Sequence, residues 1–143
     1  MSDDRFSVVL KEWELIQAQL DKYDGLSARI KTWAITLWVA SLGWSFQIAN
    51  RHMALLSLVV VLAFWCLDAV NKNFREDYRA RRETVSAALA MFFRDGSWPA
   101  DFTAPQMPPH RFGRIFKYLL ELHICLNYLP LMAIAALVYI FIH

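Results

Sequence analysis

Residues 32–67 read TWAITLWVASLGWSFQIANRHMALLSLVVVLAFWCL, and the reading of this stretch decides the fold. From Thr32 to Asn50 there are 19 positions without Asp, Glu, Lys or Arg, and from Met53 to Leu67 another 15. A helix of about 20 apolar residues crosses the hydrocarbon core of a bilayer, so the two blocks read as membrane spans. Only Asn50, Arg51 and His52 lie between them, a connection that suits a tight helical hairpin. A third uncharged block, 22 residues from Leu122 to His143, reads as a further span. It has no polar face on which to lie along a membrane surface. Asn127 and Pro130 inside it predict a kink.

Upstream of the hairpin, Phe6, Val9, Trp13, Ile16, Leu20 and Tyr23 recur at alternating spacings of three and four, with charged residues between them. That is a heptad seam on an amphipathic helix outside the membrane, and it predicts association with a partner helix. Gly25 weakens a helix by roughly 1 kcal/mol relative to Ala and predicts a bend before the first span. Downstream, Asp68 marks the exit of the second span, because an acidic side chain is tolerated near the interface far better than at the bilayer centre. Residues 71–93 contain no Gly or Pro, so this helix is expected to continue into water until Asp95, Gly96 and Pro99 end it. Pro105, Pro108 and Pro109 keep the next stretch irregular, and a helix restarts near His110.

The expected architecture is therefore all-α and integral to a membrane. It has three transmembrane helices, a hairpin plus a C-terminal span, with an N-terminal cytoplasmic amphipathic helix and a long helical extension of the second span. Residues 1–30 form the oligomerisation helix, 31–70 the hairpin, 71–121 a cytoplasmic helical and Pro-rich region, and 122–143 the third span. Lys and Arg number five in residues 1–31 and nine in 71–121, against Arg51 alone at the hairpin tip. The positive-inside rule then puts both polar parts in the cytoplasm and the C-terminus outside. The start at Met1, Ser2, Asp3 and Asp4 has no character of a cleavable signal peptide.

Hydrophobic content of 57% in clustered blocks argues against a soluble enzyme, and a net charge of +2 makes no case for bulk nucleic-acid binding. Cys66 and Cys125 are too few for a disulfide framework. His52, His110, His123 and His143 have no ligand spacing, so no metal is expected. There is neither a phosphate loop nor a nucleophile elbow, and no catalytic residue or cofactor is expected.

Two constellations remain. In the first span Thr32, Thr36, Ala40, Gly43 and Gln47 follow at spacings of 4, 4, 3 and 4, with Ser41 and Ser45 expected to widen the face. Such a stripe either packs helices closely or lines a narrow, weakly polar pore in an oligomer. Beyond the second span Lys72, Arg75, Arg79 and Arg82 form a basic row at spacings of 3, 4 and 3. Headgroups account for its lower end, and pairing with Glu76, Asp77 and Glu83 is open to all four. Arginine also suits bidentate phosphate contact, so a phosphate-bearing ligand is the functional expectation. Tyr78, Phe92, Phe93 and Trp98 are candidates for stacking on bases, or simply core.

Tyr23, Asp24, Gly25, Leu26 and Ser27 leading into Lys31, Thr32, Trp33 and Ala34, followed by the Arg75 to Arg82 row, resemble the membrane effectors of bacterial antiphage systems. The Hailong-type effectors are the nearest in style, and the two-span SLATT domains are more distant. The resemblance implies a homo-oligomeric channel of the bacterial inner membrane, a tetramer. It would be held shut until a nucleotide or oligonucleotide from a partner nucleotidyltransferase reaches the basic site, and would then depolarise the membrane and stop growth. The alternative is a non-conducting, membrane-anchored scaffold whose heptad helix recruits a cytoplasmic partner.

Overall fold

A computed structural model describes residues 2–48, 50–109 and 112–141, and among them there are helices and no strands. Helix α1 runs Ser2–Gln47 and helix α2 runs Arg51–Asp95. A 3-10 turn, Phe112–Arg114, leads into the short α3, Ile115–Leu119, and α4 follows over Leu122–Phe141. Helices α2 and α4 are each long and apolar enough to cross a membrane. The first apolar block, in α1, falls short of that measure. The physical reason lies in its own sequence, where Trp33, Trp38, Trp44 and the Thr, Ser and Gln residues dilute its aliphatic character.

Local chemistry explains the ends. Asn50 caps α2, its Oδ1 accepting from the backbone N–H of His52 at 2.9 Å. Gly96, at a φ of +68°, adopts the left-handed conformation that closes α2, and its N–H donates to the Phe92 carbonyl at 2.9 Å. Gly25 does not end or divide α1, which continues through it. The helix expected to restart near His110 is interrupted at Leu120 and Glu121, so its polar beginning and apolar continuation are separate elements. His110 itself lies outside the described residues. Pro130 sits inside α4, and Asn127 Nδ2 donates to the His123 carbonyl one turn back at 2.8 Å.

The chain folds as two compact units, Met1–Asp24 with Phe74–Arg111, and Gly25–Asn73 with Phe112–His143. These boundaries differ from the expected segments, since residues 112–121 join the apolar helices instead of the polar region. In the first unit Val9, Ile16 and Leu20 are buried against Val85, Ala88 and Phe102, with Trp13, Tyr78, Leu89 and Trp98 packed around them. The seam thus has a partner within the chain, the face of α2 that carries Val85 and Ala88. In the second unit Ala34, Val61, Ala69, Tyr118, Ile124 and Tyr128 form the interior. Ser41, Ser45, Ser57 and Ala54 are buried as well, small residues of the kind that let membrane helices approach closely.

Candidate functional site

Each expected site residue now has a place. Thr32, Thr36, Ala40, Gly43 and Gln47 are all exposed, whereas Ala34, Ser41, Leu42 and Ser45 of the same helix are buried. At about 100° per residue the two sets lie on opposite sides of α1. Ser41 and Ser45 therefore do not widen the stripe; they belong to the unit's interior, where Ser45 Oγ donates to the Asn50 carbonyl at 3.2 Å. Thr32 and Thr36 donate to the carbonyls of Ala28 and Thr32 at 3.0 and 2.9 Å, which satisfies both hydroxyls within the helix. A Cβ added at Gly43 meets nothing within 4 Å. Packing within the chain accounts for none of the stripe.

The basic row divides between the units. In the second, Lys72 pairs with Glu121, donates to His123 Nε2 at 3.0 Å and stands over the Tyr118 ring at 5.6 Å. In the first, Arg75 pairs with Asp24 at 2.7 Å and Arg79 with Glu76 at 3.4 Å, while Arg82 makes no ion pair among the described residues. The Arg75 and Arg79 pairs are solvent-exposed enough to be weak, on the order of 0–1 kcal/mol each.

Sequence reasoning passed over the most deeply engaged arginine. Arg81 is held by Glu12 at 2.7 Å, with both side chains under one-tenth exposed. It also donates to the Thr103 carbonyl at 2.7 Å and to Gln106 Oε1 at 3.2 Å, and faces the Phe102 ring at 5.5 Å. Together with Arg5, which donates to the Phe102 carbonyl at 2.9 Å, it ties the Pro-rich segment to the helices. Nothing in the spacing of Glu12 and Arg81, which are 69 residues apart, marks the pair.

The aromatic candidates are mostly occupied with one another. Phe92 stacks on Trp98 at 4.4 Å and Trp98 on Phe102 at 5.7 Å, while Phe6 contacts both Phe92 and Phe93. Tyr23 lies between Phe74 and Tyr78, at 6.3 and 5.6 Å. Burial, with Tyr78 beside it, holds the Tyr23 hydroxyl above the ordinary tyrosine range.

In the second unit Asp68 is buried and accepts from Ser27 Oγ at 3.0 Å, and Trp65 Nε1 donates to the Leu119 carbonyl at 3.1 Å. No group of three or more metal-ligating side chains occurs among the described residues. Compared with known protein families, curated proteins and solved structures, the chain matches none.

Proposed function

We propose that the chain is the subunit of a homo-oligomeric membrane channel whose α1 stripe faces a common axis, with the α1 block as a third span beside α2 and α4. The observation that carries this reading is that the small, weakly polar face of α1 points away from its own unit's interior. A bilayer offers such a face nothing that the aliphatic residues elsewhere on these helices would not obtain better, whereas a copy of the same helix can approach it closely. Several copies around an axis would enclose an uncharged, narrow conduit with Gln47 at one mouth.

Gating is assigned to an anionic nucleotide or oligonucleotide at the cytoplasmic arginines Arg75, Arg79 and Arg82. Phosphate oxygens would replace the Asp24 and Glu76 carboxylates, a cheap exchange because those pairs are solvent-exposed. Lys72, bound to Glu121, serves better as a fastening between α2 and the start of α4. Opening would dissipate the membrane potential, which is the consequence expected of a defence effector. The scaffold alternative needed a free seam; with Val9, Ile16 and Leu20 covered by the same chain it would have to recruit through another surface.

The test compares Gly43→Trp with Leu37→Trp. Both positions are exposed, and the space at Gly43 is open, so neither change disturbs the isolated chain. Leu37 lies about 100° around the helix from the centre of the stripe. Gly43→Trp is expected to abolish ion leak in liposomes and toxicity in cells, with Leu37→Trp close to wild type. Equal effects would remove the stripe from the conducting path.

A further inference from the structure

The 3-10 turn and α3, just before the last apolar helix, carry apolar surface that their own unit leaves uncovered. Tyr118 is buried in the second unit's interior with Ile115 and Leu119 packed against it, while Phe112, Phe116 and Leu120 stand 62%, 78% and 79% exposed. Their depth is set by α2. Trp65 Nε1 donates to the Leu119 carbonyl at 3.1 Å, and Lys72 stands over the Tyr118 ring at 5.6 Å. Helix α3 therefore lies beside the stretch of α2 from Trp65 to Lys72, about 10 Å of helix, in which the apolar run ends at Leu67 and the first charge, Asp68, appears. Helix α4 begins its apolar course at Leu122, also at this level.

That is where a chain passes from hydrocarbon to headgroups, and an exposed aromatic and aliphatic face beside a basic side chain is stable there. The charge selects the headgroup. From Phe102 to Leu120 the sequence has Arg111, Arg114 and Lys117 and no Asp or Glu. Arg114 is half-buried with contacts of its own, whereas Lys117 is exposed and has the reach to meet a phosphate. The acids of this unit are engaged elsewhere, Glu121 by Lys72 and the buried Asp68 by Ser27. We propose that residues 112–120 form an interfacial anchor that binds anionic phospholipid, with Phe112, Phe116 and Leu120 among the upper acyl carbons and Lys117 on the headgroup phosphate. In phosphatidylcholine the choline cation offsets that phosphate, so a headgroup of net negative charge is preferred. The inference rests on α2 and α4 crossing a membrane, and not on conduction or gating.

The experiment reconstitutes the full chain, with Cys66 and Cys125 replaced by Ser, in vesicles mixing phosphatidylcholine and phosphatidylglycerol. A bimane fluorophore is placed on Leu120→Cys or, as a control on the apolar run of α2, on the exposed Val59→Cys. One lipid or the other carries bromine on its upper acyl carbons, and quenching reports which lipid touches the label. At Leu120 brominated phosphatidylglycerol is expected to be favoured over phosphatidylcholine about fivefold, the factor that one basic side chain near an anionic surface supplies. Lys117→Gln, a change at an exposed position, should bring that ratio close to one, and the label at Val59 should be quenched equally by both. Quenching at Val59 without quenching at Leu120 would overturn the anchor while leaving the crossing in place, and no quenching at either would overturn both. Equal quenching by the two lipids at Leu120, or a preference unchanged by Lys117→Gln, would remove the anionic headgroup from Lys117.

Discussion

At the scale of single residues, the side chains that matter most are those whose partners lie far away in sequence. Tyr23 is one, and its environment has a pH signature. A hydroxyl whose folded-state pKa is raised contributes stability that is complete below the unfolded value of about 10 and is lost as pH rises through the folded one. Thermal stability in detergent should therefore fall above pH 10 in the wild type, and the fall should be shallower in Tyr23→Phe; identical profiles would exclude Tyr23 as its source. The arginines make a second prediction. Reversing charge in the Arg79→Glu, Arg82→Glu double variant leaves the apolar stretch of α2 that is long enough to cross a membrane unchanged, so insertion should be intact. Nucleotide-triggered leak from liposomes should be abolished, since a ligand shifts a closed-to-open equilibrium only through differential affinity. A normal triggered leak in that variant would move the sensor to Arg111, Arg114 and Lys117, the three basic residues that lead into the last apolar block.

At the scale of elements, length separates what the helices do. Helix α2 has 45 residues and is about 67 Å long at 1.5 Å per residue, more than twice the roughly 30 Å of a hydrocarbon core. Its remainder must be accommodated elsewhere, and Val85 and Ala88 cover the α1 seam. Trp13→Ala should accordingly act within the subunit. Trp13 packs on that core and donates to Ser86 Oγ at 3.2 Å. Its loss should lower stability by roughly 2–3 kcal/mol, below the full cost of a wholly buried aromatic because the ring is partly exposed. Assembly mass by light scattering should stay unchanged; dissociation without destabilisation would restore the seam to the subunit interface. The long run of α2 was legible because no Gly or Pro interrupts residues 71–93, and its end because Gly96 follows Asp95. The seam's partner was not. Val85 and Ala88 are small residues in a run, Val85 to Met91, that is apolar on more than one face, and Phe102 arrives from an irregular segment that periodicity cannot place. The stripe was legible as a pattern, but its direction required the burial of Ser41 and Ser45 on the far side, which spacing from Thr32 should already have indicated. The pairs Arg81 with Glu12, Lys72 with Glu121 and Ser27 with Asp68 were invisible for a common reason: ion pairs and hydrogen bonds between distant segments have no local period.

At the scale of the whole molecule the decisive quantity is the number of crossings, and it follows from which side each end of a helix occupies. Helices α2 and α4 are long and apolar enough to cross, and the α1 block falls short because Trp33, Trp38, Trp44 and its Thr, Ser and Gln residues dilute its aliphatic character. If α1 crosses, Ser7 and Asn50 lie on opposite sides of the membrane, with Asn50 outside by the excess of Lys and Arg at 1–31 and 71–121. If it does not, Ser7 and Asn50 share a side, and the stripe cannot line a transmembrane path. In a background with Cys66 and Cys125 replaced by Ser, a membrane-impermeant maleimide should label Asn50→Cys in intact cells, and should reach Ser7→Cys and Arg94→Cys only after lysis. Labelling of Ser7→Cys together with Asn50→Cys in intact cells would mean two crossings, and would remove the conduit whatever the behaviour of Gly43→Trp. Labelling of Ser7→Cys and Arg94→Cys without Asn50→Cys would invert the orientation while leaving the crossings at three, and the arginines would then face the exterior, out of reach of a cytoplasmic nucleotide.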